Sequence, residues 1–363
     1  MDKKARIYVA GHLGLVGSAI WKNFSNKGYT NLTGKSLAEL DLMDGEAVKR
    51  FFDVERPEYV ILAAAYVGGI MANNTYRADF IYRNLQIQQN VISESYHHHV
   101  KKLLFLGSTC IYPRDAQQPL KEEALLTGPL EYTNEPYAIA KIAGLKMCES
   151  FNIQYDANYI AVMPTNLYGP NDNFHLENSH VLPAIIRKIY LGKCLHENNW
   201  EAIHRDLLRR PVEGLSGCAG QEDVLNVLQK YGITENHVTL WGTGKPLREF
   251  LWSEEMADAC VYIMEHVDFE KLKGTNQEIR NCHINIGTGK EISIYDLAQL
   301  ISRTIGYTGE IMFDSAKPDG TMRKLTDVAK LHALGWHHRI EIDEGVKRLY
   351  KWYLVNSENA IIS

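Results

Sequence analysis

The amino-acid sequence predicts an α/β fold: a doubly wound parallel sheet with helices on both faces, followed by a smaller C-terminal α/β domain. Several short runs are apolar throughout, which is typical of parallel strands that are covered on both faces. These runs are residues 6–10, 59–64, 103–106 and 159–163. Segments with helical spacing lie between them, and strands that alternate with helices favour a parallel sheet. We therefore assign residues 1–170 to the sheet domain, to which some later segments return.

The pattern changes after residue 170, and residues 171–363 are predicted to form mainly the smaller domain. An amphipathic helix is expected at 182–191. Further short strands are expected at 238–241 and 283–286, and helices at about 253–266 and 293–305. The chain is expected to pass between the two domains more than once.

A polar and charged stretch at about 196–236 is interpreted as an insertion with a helix on each side of a loop. The loop contains Gly214, Gly217 and Gly220. Three roles remain open for it: a lid, a contact between subunits, or a solvated surface segment.

The composition is that of an ordinary globular protein, with 45% hydrophobic and 23% charged residues. The net charge of -5 provides no overall attraction for nucleic acid or an anionic membrane, so neither is expected as a partner. We expect no signal peptide and no membrane span, since strand-like residues begin almost at once and no run approaches about 18 apolar residues. The six cysteines form no CxxC pair and no disulfide framework, which predicts a cytoplasmic protein with reduced thiols.

A glycine-rich turn, residues 11–17, joins the first predicted strand to the first predicted helix. Gly11 permits the tight turn, Gly14 lets the backbone approach a pyrophosphate, and Gly17 lets the helix pack close to the sheet. The start of the helix presents N–H groups to the phosphates. Because the pattern stands between a strand and a helix, it predicts a Rossmann-like dinucleotide site rather than an ordinary turn. The GxxGxxG spacing is typical of short-chain dehydrogenases.

Tyr137 and Lys141 stand four residues apart, on one face of a predicted helix. An ammonium near a phenol favours the phenolate, so we expect a lowered pKa for Tyr137 and an acid that works at neutral pH. Such an acid protonates a carbonyl oxygen as hydride reaches the carbonyl carbon. The pattern alone is also compatible with an exposed helix face, and its position downstream of the glycine turn favours catalysis.

Ser108 and Cys110 follow the apolar run 103–106, at the strand end that faces the ligand crevice of a doubly wound sheet. Ser108 completes a Ser–Tyr–Lys triad by donating a hydrogen bond to the substrate carbonyl. A lone cysteine is usually a small buried hydrophobic residue. The position of Cys110, two residues from the triad serine, favours a chemical role instead.

Further strings of the sequence carry a family resemblance. They are residues 62–65, 67–70, 73–75, 79–82, 108–113, 133–137, 164–170, 178–181 and 248–251. Together with the glycine turn, they resemble the GDP-L-fucose synthase family of the extended short-chain dehydrogenases/reductases. The resemblance extends from about residue 5 to 354 and is interrupted mainly by the insertion. It implies a Rossmann domain, a small C-terminal substrate domain and a homodimer.

The resemblance also implies an activity: an NADPH-dependent enzyme that epimerises GDP-4-keto-6-deoxy-D-mannose at C3 and C5 and reduces it at C4, giving GDP-L-fucose. Cys110 is then the base and His180 the acid that invert the carbons beside the ketone. Ser108 and Tyr137 hold the enolate oxygen, and Tyr137 donates the proton during reduction. Without the resemblance, His180 would be interpreted as a loop histidine with a structural hydrogen bond.

Two sets of binding residues follow from the same resemblance. Those for the cofactor are Gly11, His12, Leu13, Gly14, Leu15, Val16, Gly17, Lys35, Asp41, Leu42, Ala63, Ala64, Ala65, Leu106, Lys141, Pro164, Asn166, Leu167 and His180. Those for the GDP-linked sugar are Ser108, Asn166, Asn178, Ser179, Lys188, Trp241, Arg248 and Lys324. Lys188 stands where the family has arginine, whereas Trp241 and Arg248 match directly.

The sequence departs from the family where the 2′-phosphate of NADP is bound. Relatives often carry arginine at the position of Leu13 and basic residues at 34–37, and here Lys35 is the cation that remains, with Ser36 beside it. No acidic residue directly follows the second strand to select NAD, although Asp41 is near. NADPH is therefore the favoured cofactor, with NAD as an alternative.

Alternative functions remain at this stage. The first is an epimerase/reductase, or a reductase alone, on a related GDP-4-keto sugar such as a 6-deoxyheptose or a 3,6-dideoxymannose. The second is a catalytically silent scaffold, which intact Ser108, Tyr137 and Lys141 argue against. No metal is assigned, because the consecutive histidines 97–99 cannot all face one ion on a helix or strand.

Overall fold

The structure is a computed structural model that describes residues 1–215, 217, 219–274 and 278–358. Cys218, one of the six cysteines, lies outside the described residues. The strands are β1 Ile7–Ala10, β2 Leu32–Thr33, β3 Tyr59–Leu62, β4 Lys102–Leu106, β5 Tyr159–Pro164, β6 Asn166–Tyr168, β7 His237–Trp241, β8 Leu247–Arg248, β9 Phe250–Trp252, β10 Ile284–Ile286, β11 Ile292–Ser293, β12 Glu310–Asp314 and β13 Arg323–Lys324.

Helices separate most of these strands. They are α1 Leu15–Asn26, α2 Gly45–Glu55, α3 Ile70–Thr75, α4 Arg77–His97, α5 Glu135–Tyr155, α6 Val181–His196, α7 Trp200–Arg209, α8 Gln221–Lys230, α9 Ser253–His266, α10 Ile294–Ile305, α11 Ala329–Ala333 and α12 Ile342–Glu358. No helix in the described ranges is both long and apolar enough to cross a membrane.

The chain divides into two compact units. Unit 1 contains Met1–Leu167, Glu249–Lys290 and Leu325–Arg339. Unit 2 contains Tyr168–Arg248, Glu291–Lys324 and the described residues from Ile340 onward.

Unit 1 is built on a six-stranded sheet in the order β10-β5-β4-β3-β1-β2. Every strand pair in this sheet is parallel. The order reverses around β1 and β3, and ligands bind beyond the carboxyl ends of the strands at such a switch point. The predicted Rossmann-like α/β fold is confirmed.

Residues that alternate along each strand enter separate apolar cores on the two faces of this sheet. Ile7 and Val9 pack with residues of α1 and α9, such as Phe24 and Met256. Tyr8 packs on the other face, in the core that α2, α4 and α5 cover. The continuous apolar strands of the sequence are thus explained, because both sets of side chains are buried.

Unit 2 contains a parallel pair, β7 with β12, and a three-stranded sheet in the order β11-β8-β13. The amphipathic helix predicted at 182–191 is longer, Val181–His196, and the prediction of a polar face is wrong. Arg187 and Lys188 are only 0% and 7% exposed. In the sequence these two charged residues suggest a solvent-exposed helix face. In the structure both side chains instead form hydrogen bonds inside unit 2.

The insertion contains α7 and α8, as predicted, with one helix on each side of the glycine-containing loop. Asp206 on α7 is fully buried and accepts hydrogen bonds from Arg187 Nε at 2.9 Å and from the Tyr353 hydroxyl. Because α7 contributes a buried charge to the core of unit 2, the insertion is not a wholly solvated segment.

Candidate active site

The carboxyl end of β4 continues into a tight turn that presents Ser108 and Cys110. Ser108 caps a 3-10 turn at Thr109–Ile111, and its Oγ accepts a hydrogen bond from the Cys110 amide at 3.3 Å. Cys110 is 6% exposed, whereas Ser108 is half-buried. The cap fixes the backbone between the two residues, so their side chains emerge from one rigid turn.

A buried tyrosine anchors the far end of this turn, which the sequence analysis did not anticipate. The Tyr112 hydroxyl donates to Asn285 Oδ1 at 2.5 Å and lies 3.0 Å from His283 Nε2. Both partners belong to the segment of β10, more than 170 residues later in the sequence. The only hint in the sequence was a tyrosine in a turn made mostly of small residues. The hydrogen-bond partners of this tyrosine can be identified only from the folded structure.

Helix α5 supplies Tyr137 and Lys141. Pro136 occupies the first turn of the helix, where its missing N–H costs no hydrogen bond. Lys141 is buried, and its Nζ donates to the Leu106 carbonyl at 2.8 Å while lying 5.7 Å from the centre of the Tyr137 ring. The lysine therefore ties α5 to the end of β4, directly before Ser108.

The electrostatics of this cluster differ from the sequence prediction. Burial raises the pKa of Tyr137 well above its ordinary value, and the nearby Cys110 adds to this rise. The predicted lowering of the Tyr137 pKa is wrong for this structure, because loss of solvation disfavours the charged phenolate. Tyr137 is thus a neutral phenol at neutral pH, the form that a proton donor needs.

Lys141 shows the opposite response to the same surroundings. Burial lowers its pKa to about 8, and the interaction with Cys110 partly offsets this decrease. The charge interaction with Cys110 thus acts in the same direction on Lys141 and Tyr137, raising the pKa of each.

The glycine turn has the conformation that a dinucleotide site requires. Gly11 has a φ of +84°, and a Cβ atom there would lie 2.8 Å from the Ala64 amide nitrogen. A Cβ atom on Gly17 would lie 2.0 Å from the Gly11 carbonyl oxygen, so both positions need glycine. A Cβ atom on Gly14 would meet only that same oxygen, at 3.5 Å. The Gly14 side of the loop is thus open at the start of α1, which fits a bound pyrophosphate.

The loops beside this turn hold other predicted cofactor residues. Ala63, Ala64 and Ala65 directly follow β3, and Ala64 contacts the glycine turn. Beyond β5, Asn166 Nδ2 donates to the Glu249 carbonyl at 2.8 Å. The predicted residues Pro164, Asn166 and Leu167 are half-buried at the end of β5 and in β6.

Lys35 and Ser36, the residues predicted to bind the 2′-phosphate, follow strand β2. The Lys35 ammonium lies 4.0 Å from a carboxylate oxygen of Glu55, and Ser36 Oγ donates to Glu39 at 2.7 Å. Leu13 is 68% exposed, and its aliphatic side chain has no polar atom to offer a phosphate.

Other predicted cofactor residues have local structural roles. The His12 ring packs against Trp21 with 5.5 Å between ring centres, and a Cβ atom on Gly34 would lie 2.4 Å from the His12 ring. Asp41 accepts a hydrogen bond from the Met43 amide at 2.9 Å, and Leu42 is buried. Leu15 and Val16 begin α1.

Unit 2 brings predicted nucleotide-binding residues together on its small sheets. Arg248 on β8 and Lys324 on β13 are register partners in neighbouring parallel strands. Burial lowers the pKa of Arg248, with Asp319 acting in the opposite direction. Two cationic residues at one level of a sheet have the charge that a diphosphate requires of its partners.

Lys188 and Trp241 lie near strand β7 of the same unit. Lys188 Nζ donates to the Thr239 carbonyl at 3.3 Å, and burial lowers the pKa of Lys188 to about 8. Trp241 is 58% exposed, and Lys317 Nζ lies 5.5 Å from the centre of its ring. Such an exposed aromatic face is suited to stacking with a nucleotide base.

The turn after Trp241 is held by Asp319, which the sequence analysis did not single out. Its carboxylate accepts hydrogen bonds from the Thr243 amide at 2.6 Å and from Thr243 Oγ1 at 2.8 Å. An aspartate in the polar segment 318–324 has no distinguishing sequence signal.

The loop before α6 carries the remaining predicted residues of unit 2. His180 is the N-cap residue of α6, and its side chain is exposed. Partial desolvation by the surrounding protein lowers its pKa. Asn178 Oδ1 accepts a hydrogen bond from Asn173 Nδ2 at 2.9 Å, and Ser179 follows in the same loop. Cys110 belongs to unit 1 and His180 to unit 2, so their division of labour stays a prediction.

Metal chemistry has no visible site in the described ranges. They contain no group of three or more His, Cys, Asp or Glu side chains placed to hold a metal ion. The described cysteines, Cys110, Cys148, Cys194, Cys260 and Cys282, are buried and are not joined in disulfides.

Comparison with known proteins adds family relationships to this geometry. A profile of the NAD dependent epimerase/dehydratase family matches residues 7–208 and 222–287. GDP-L-fucose synthase 1 of Arabidopsis thaliana is 49% identical over 355 residues, which cover 98% of this chain and 95% of that protein. GDP-L-fucose synthase of Escherichia coli (strain K12) is 45% identical over 355 residues, 98% of either chain.

A solved structure shows the same similarity in three dimensions. It is a GDP-mannoheptose C4 reductase from Campylobacter jejuni with NADP bound. The two chains share 44% sequence identity and a TM-score of 0.86, over 98% of this chain and 99% of that chain.

Proposed function

The chain belongs to the NAD dependent epimerase/dehydratase family and, within it, to the GDP-L-fucose synthases, and we propose that it converts GDP-4-keto-6-deoxy-D-mannose into GDP-L-fucose. It is an NAD(P)-dependent epimerase/reductase. The observation that carries the proposal is the cluster at the end of β4, where Lys141 ties α5 to Leu106 beside Ser108 and Cys110. This cluster joins a carbonyl-reducing triad to a thiol that can move protons.

The epimerisation uses the acidity that a ketone confers on its neighbours. The 4-keto group acidifies the protons on C3 and C5, and each inversion needs one group to remove a proton and another to return one from the opposite face. In our proposal the Cys110 thiolate removes the proton and His180 returns one. Ser108 and Tyr137 donate hydrogen bonds to the enolate oxygen, which carries the charge that the removed proton leaves behind.

The reduction follows on the same ketone. NADPH, when bound, supplies the hydride that adds to C4. The Tyr137 phenol gives its proton to the C4 oxygen, and the Ser108 hydroxyl orients that oxygen. Lys141 supplies a positive charge that stabilises the resulting phenolate. The raised pKa of Tyr137 agrees with this order of events, because the phenol is protonated before the hydride arrives.

We propose NADP as the physiological cofactor, held by the glycine turn 11–17, by Ala63–Ala65 and by Lys141. The NADP-bound relative supports this assignment. Lys35 is the cation proposed for the 2′-phosphate, although it lies 4.0 Å from Glu55, and Leu13 adds no charge. We therefore expect the enzyme to accept NADH as well, with a smaller preference for NADPH than arginine-containing relatives show.

The nucleotide part of the substrate is assigned to unit 2. We propose that Arg248, Lys324 and Lys188 bind the diphosphate and that Trp241 stacks on guanine. The proposal is supported by the pairing of Arg248 with Lys324 and by the exposed Trp241 ring. The sugar is assigned, on the family resemblance, to Ser108 and Asn166 of unit 1 and to Asn178 and Ser179 of unit 2.

A second candidate substrate is a related GDP-4-keto heptose. The similarity to a GDP-mannoheptose C4 reductase favours it. Such an enzyme can run the reduction with one epimerisation or none. Cys110, in the turn that Ser108 caps, supports retained epimerase chemistry, because a reductase alone needs no thiol at this position.

One experiment separates these functions. The purified enzyme is incubated with GDP-4-keto-6-deoxy-D-mannose and either NADPH or NADH, and the product is identified by NMR. We expect GDP-L-fucose with either cofactor, formed faster with NADPH. Absence of cofactor oxidation would refute the proposed function. Oxidation with a product that is not inverted at C3 and C5 would favour the reductase.

The first mutational prediction concerns Cys110→Ser. The variant should lose most of its epimerisation, because a serine hydroxyl is a far weaker proton acceptor than a thiolate. Solvent deuterium incorporation at C3 and C5, followed by NMR, measures this loss. Reduction of a ketone that is already epimerised serves as the internal control and should remain close to wild type. An equal loss of both steps would contradict the separate role of Cys110.

We also propose a homodimer in the cytoplasm. Helices α4 and α5 carry the exposed apolar side chains of Tyr82, Ile139 and Ile153, which support a contact with a second copy. The absence of disulfides among the described cysteines agrees with a reducing compartment. Sedimentation equilibrium should give twice the 41.3 kDa mass of one chain, and Ile139→Glu should shift the population towards a single chain. A monomeric wild-type protein would contradict the dimer.

A further inference from the structure

A buried carboxylate, that of Glu249, lies where several segments of unit 1 meet. Glu249 is 0% exposed. One carboxylate oxygen accepts hydrogen bonds from the Thr288 and Gly289 amides at 2.6 and 2.8 Å. The other accepts from the Thr326 amide at 2.9 Å and from Thr326 Oγ1 at 2.6 Å. One side chain thus joins three segments that are far apart in the sequence.

The chemistry of these contacts requires a carboxylate. In all the bonds just described, a Glu249 oxygen is the acceptor. An ionised carboxylate can accept hydrogen bonds at both oxygens. An amide of the same shape would turn a donor towards the backbone N–H groups on one side. Gly287 also makes room for the charge, because a Cβ atom there would lie 2.2 Å from Glu249 Oε1.

The joined segments share a second property: each adjoins a point where the chain passes into unit 2. Glu249 is the first residue of its unit 1 segment, Gly289 lies next to the last residue of that segment, and Thr326 is second in the following one. On the unit 2 side of these points, the chain forms β8, β11 and β13. These are the strands of the three-stranded sheet.

This sheet is the one that aligns the proposed diphosphate residues. Arg248 immediately precedes Glu249, and Lys324 is two residues before Thr326. The register of β8 and β13 pairs Arg248 with Lys324. A shift of either strand by one residue would turn one of the two cations to the other face of the sheet.

We propose that Glu249 is a positioning residue for substrate binding: by joining the chain segments that enter β8, β11 and β13, it keeps Arg248 and Lys324 in register for the diphosphate. The inference rests on the proposed function, in which that diphosphate belongs to GDP. In this proposal Glu249 acts on the substrate only through Arg248 and Lys324.

The test is Glu249→Gln, with GDP alone as the probe and calorimetry as the measurement. We expect the Kd for GDP to rise about tenfold or more, a loss of about 1.4 kcal/mol per factor of ten. The Kd for NADP⁺ should stay within about twofold of wild type, since the glycine turn is formed by other segments. In steady-state kinetics, KM for the nucleotide sugar should rise more than kcat falls.

Glu255→Gln is the matched control. Glu255 is also a mostly buried glutamate of unit 1, and it accepts a hydrogen bond from the Arg339 amide at 2.7 Å. Arg339 adjoins another passage into unit 2, but the chain there continues to α12 instead of the three-stranded sheet. The control should lower thermal stability while GDP binds as in wild type.

The outcomes are distinct. Unchanged GDP affinity in folded Glu249→Gln, or an equal loss of GDP and NADP⁺ affinity, would overturn the inference, and so would weakened GDP binding in the Glu255 control. If wild type itself does not bind GDP, the proposed function fails and the inference fails with it. Should Glu249→Gln not fold, Thr326→Val removes only one donor to the carboxylate. This milder variant should weaken GDP binding selectively, and unchanged GDP affinity would overturn the inference.

Discussion

Replacing Tyr137 with phenylalanine is expected to lower the rate of C4 reduction about 10²- to 10⁴-fold, the range typical of a lost general acid. The change deletes one hydroxyl and keeps the ring, which is half-buried and packs edge-on against Phe80. Folding and NADP⁺ affinity should therefore be retained. Stopped-flow measurement of NADPH oxidation with an epimerised ketone isolates this step from the proton transfers at C3 and C5.

Tyr155→Phe is the matched control for this prediction, since Tyr155 ends the same helix and stacks on Tyr96. Its reduction rate should equal that of wild type. The pH profile offers a second readout. Because burial raises the Tyr137 pKa, the phenol keeps its proton from about pH 7 to about pH 9, and no loss of rate through its ionisation is expected there. A Tyr137→Phe variant with a nearly normal reduction rate would exclude Tyr137 as the donor.

The second large effect is expected for stability. Asp206→Asn should lower the free energy of unfolding by about 3–5 kcal/mol, because it leaves the Arg187 guanidinium buried without its counter-charge. Arg187 and Asp206 are both 0% exposed and are 2.8 Å apart between Nη2 and Oδ2. The same carboxylate accepts a hydrogen bond from the hydroxyl of Tyr353 on α12. Because Arg187 lies on α6, the change should weaken the attachment of α7 to both helices. Urea denaturation followed by circular dichroism measures the loss.

Glu201→Gln provides the control on the same helix. Glu201 pairs with Arg205 at 3.2 Å, one turn apart and largely exposed to solvent. Removal of such a pair should cost less than about 1 kcal/mol. Equal destabilisation by the two variants would show that the charge of Asp206 has no special role, and that the insertion is only loosely attached to unit 2.

Several features of the site could be predicted because their physical causes are local. The glycine turn is one, since the positive φ of Gly11 and the close contact at Gly17 are requirements of single backbone positions. The four-residue spacing of Tyr137 and Lys141 is another, because one helical turn brings the two side chains to the same face. Four strands of the six-stranded sheet, β1, β3, β4 and β5, were also predictable, since burial on both faces leaves continuous apolar runs. The short strand β2 was not among the predicted runs, and β10 lies in the range that was expected to form mainly the smaller domain.

Other predictions were wrong where burial or a pKa depends on how much solvent reaches the side chain. The helix at 182–191 was expected to be amphipathic, yet its charged side chains, Arg187 and Lys188, are both buried. The Tyr137 pKa was expected to fall through its neighbour Lys141, and it rises through loss of water. Each error has the same origin, since a short stretch of sequence shows which charges are close along the chain but not how much solvent reaches them.

The sequence by itself thus determined the α/β fold, the glycine turn and the Tyr137–Lys141 pair, all of which depend on backbone preferences and spacings within a few residues. The roles of Cys110 and His180 came from the family resemblance. Only the tertiary structure decided the protonation of Tyr137, the attachment of the insertion through Asp206 and the convergence of three segments on Glu249. These depend on contacts between residues far apart in the chain. Such contacts set the local solvation and the hydrogen-bond partners of a buried charge, and these two quantities fix its energy.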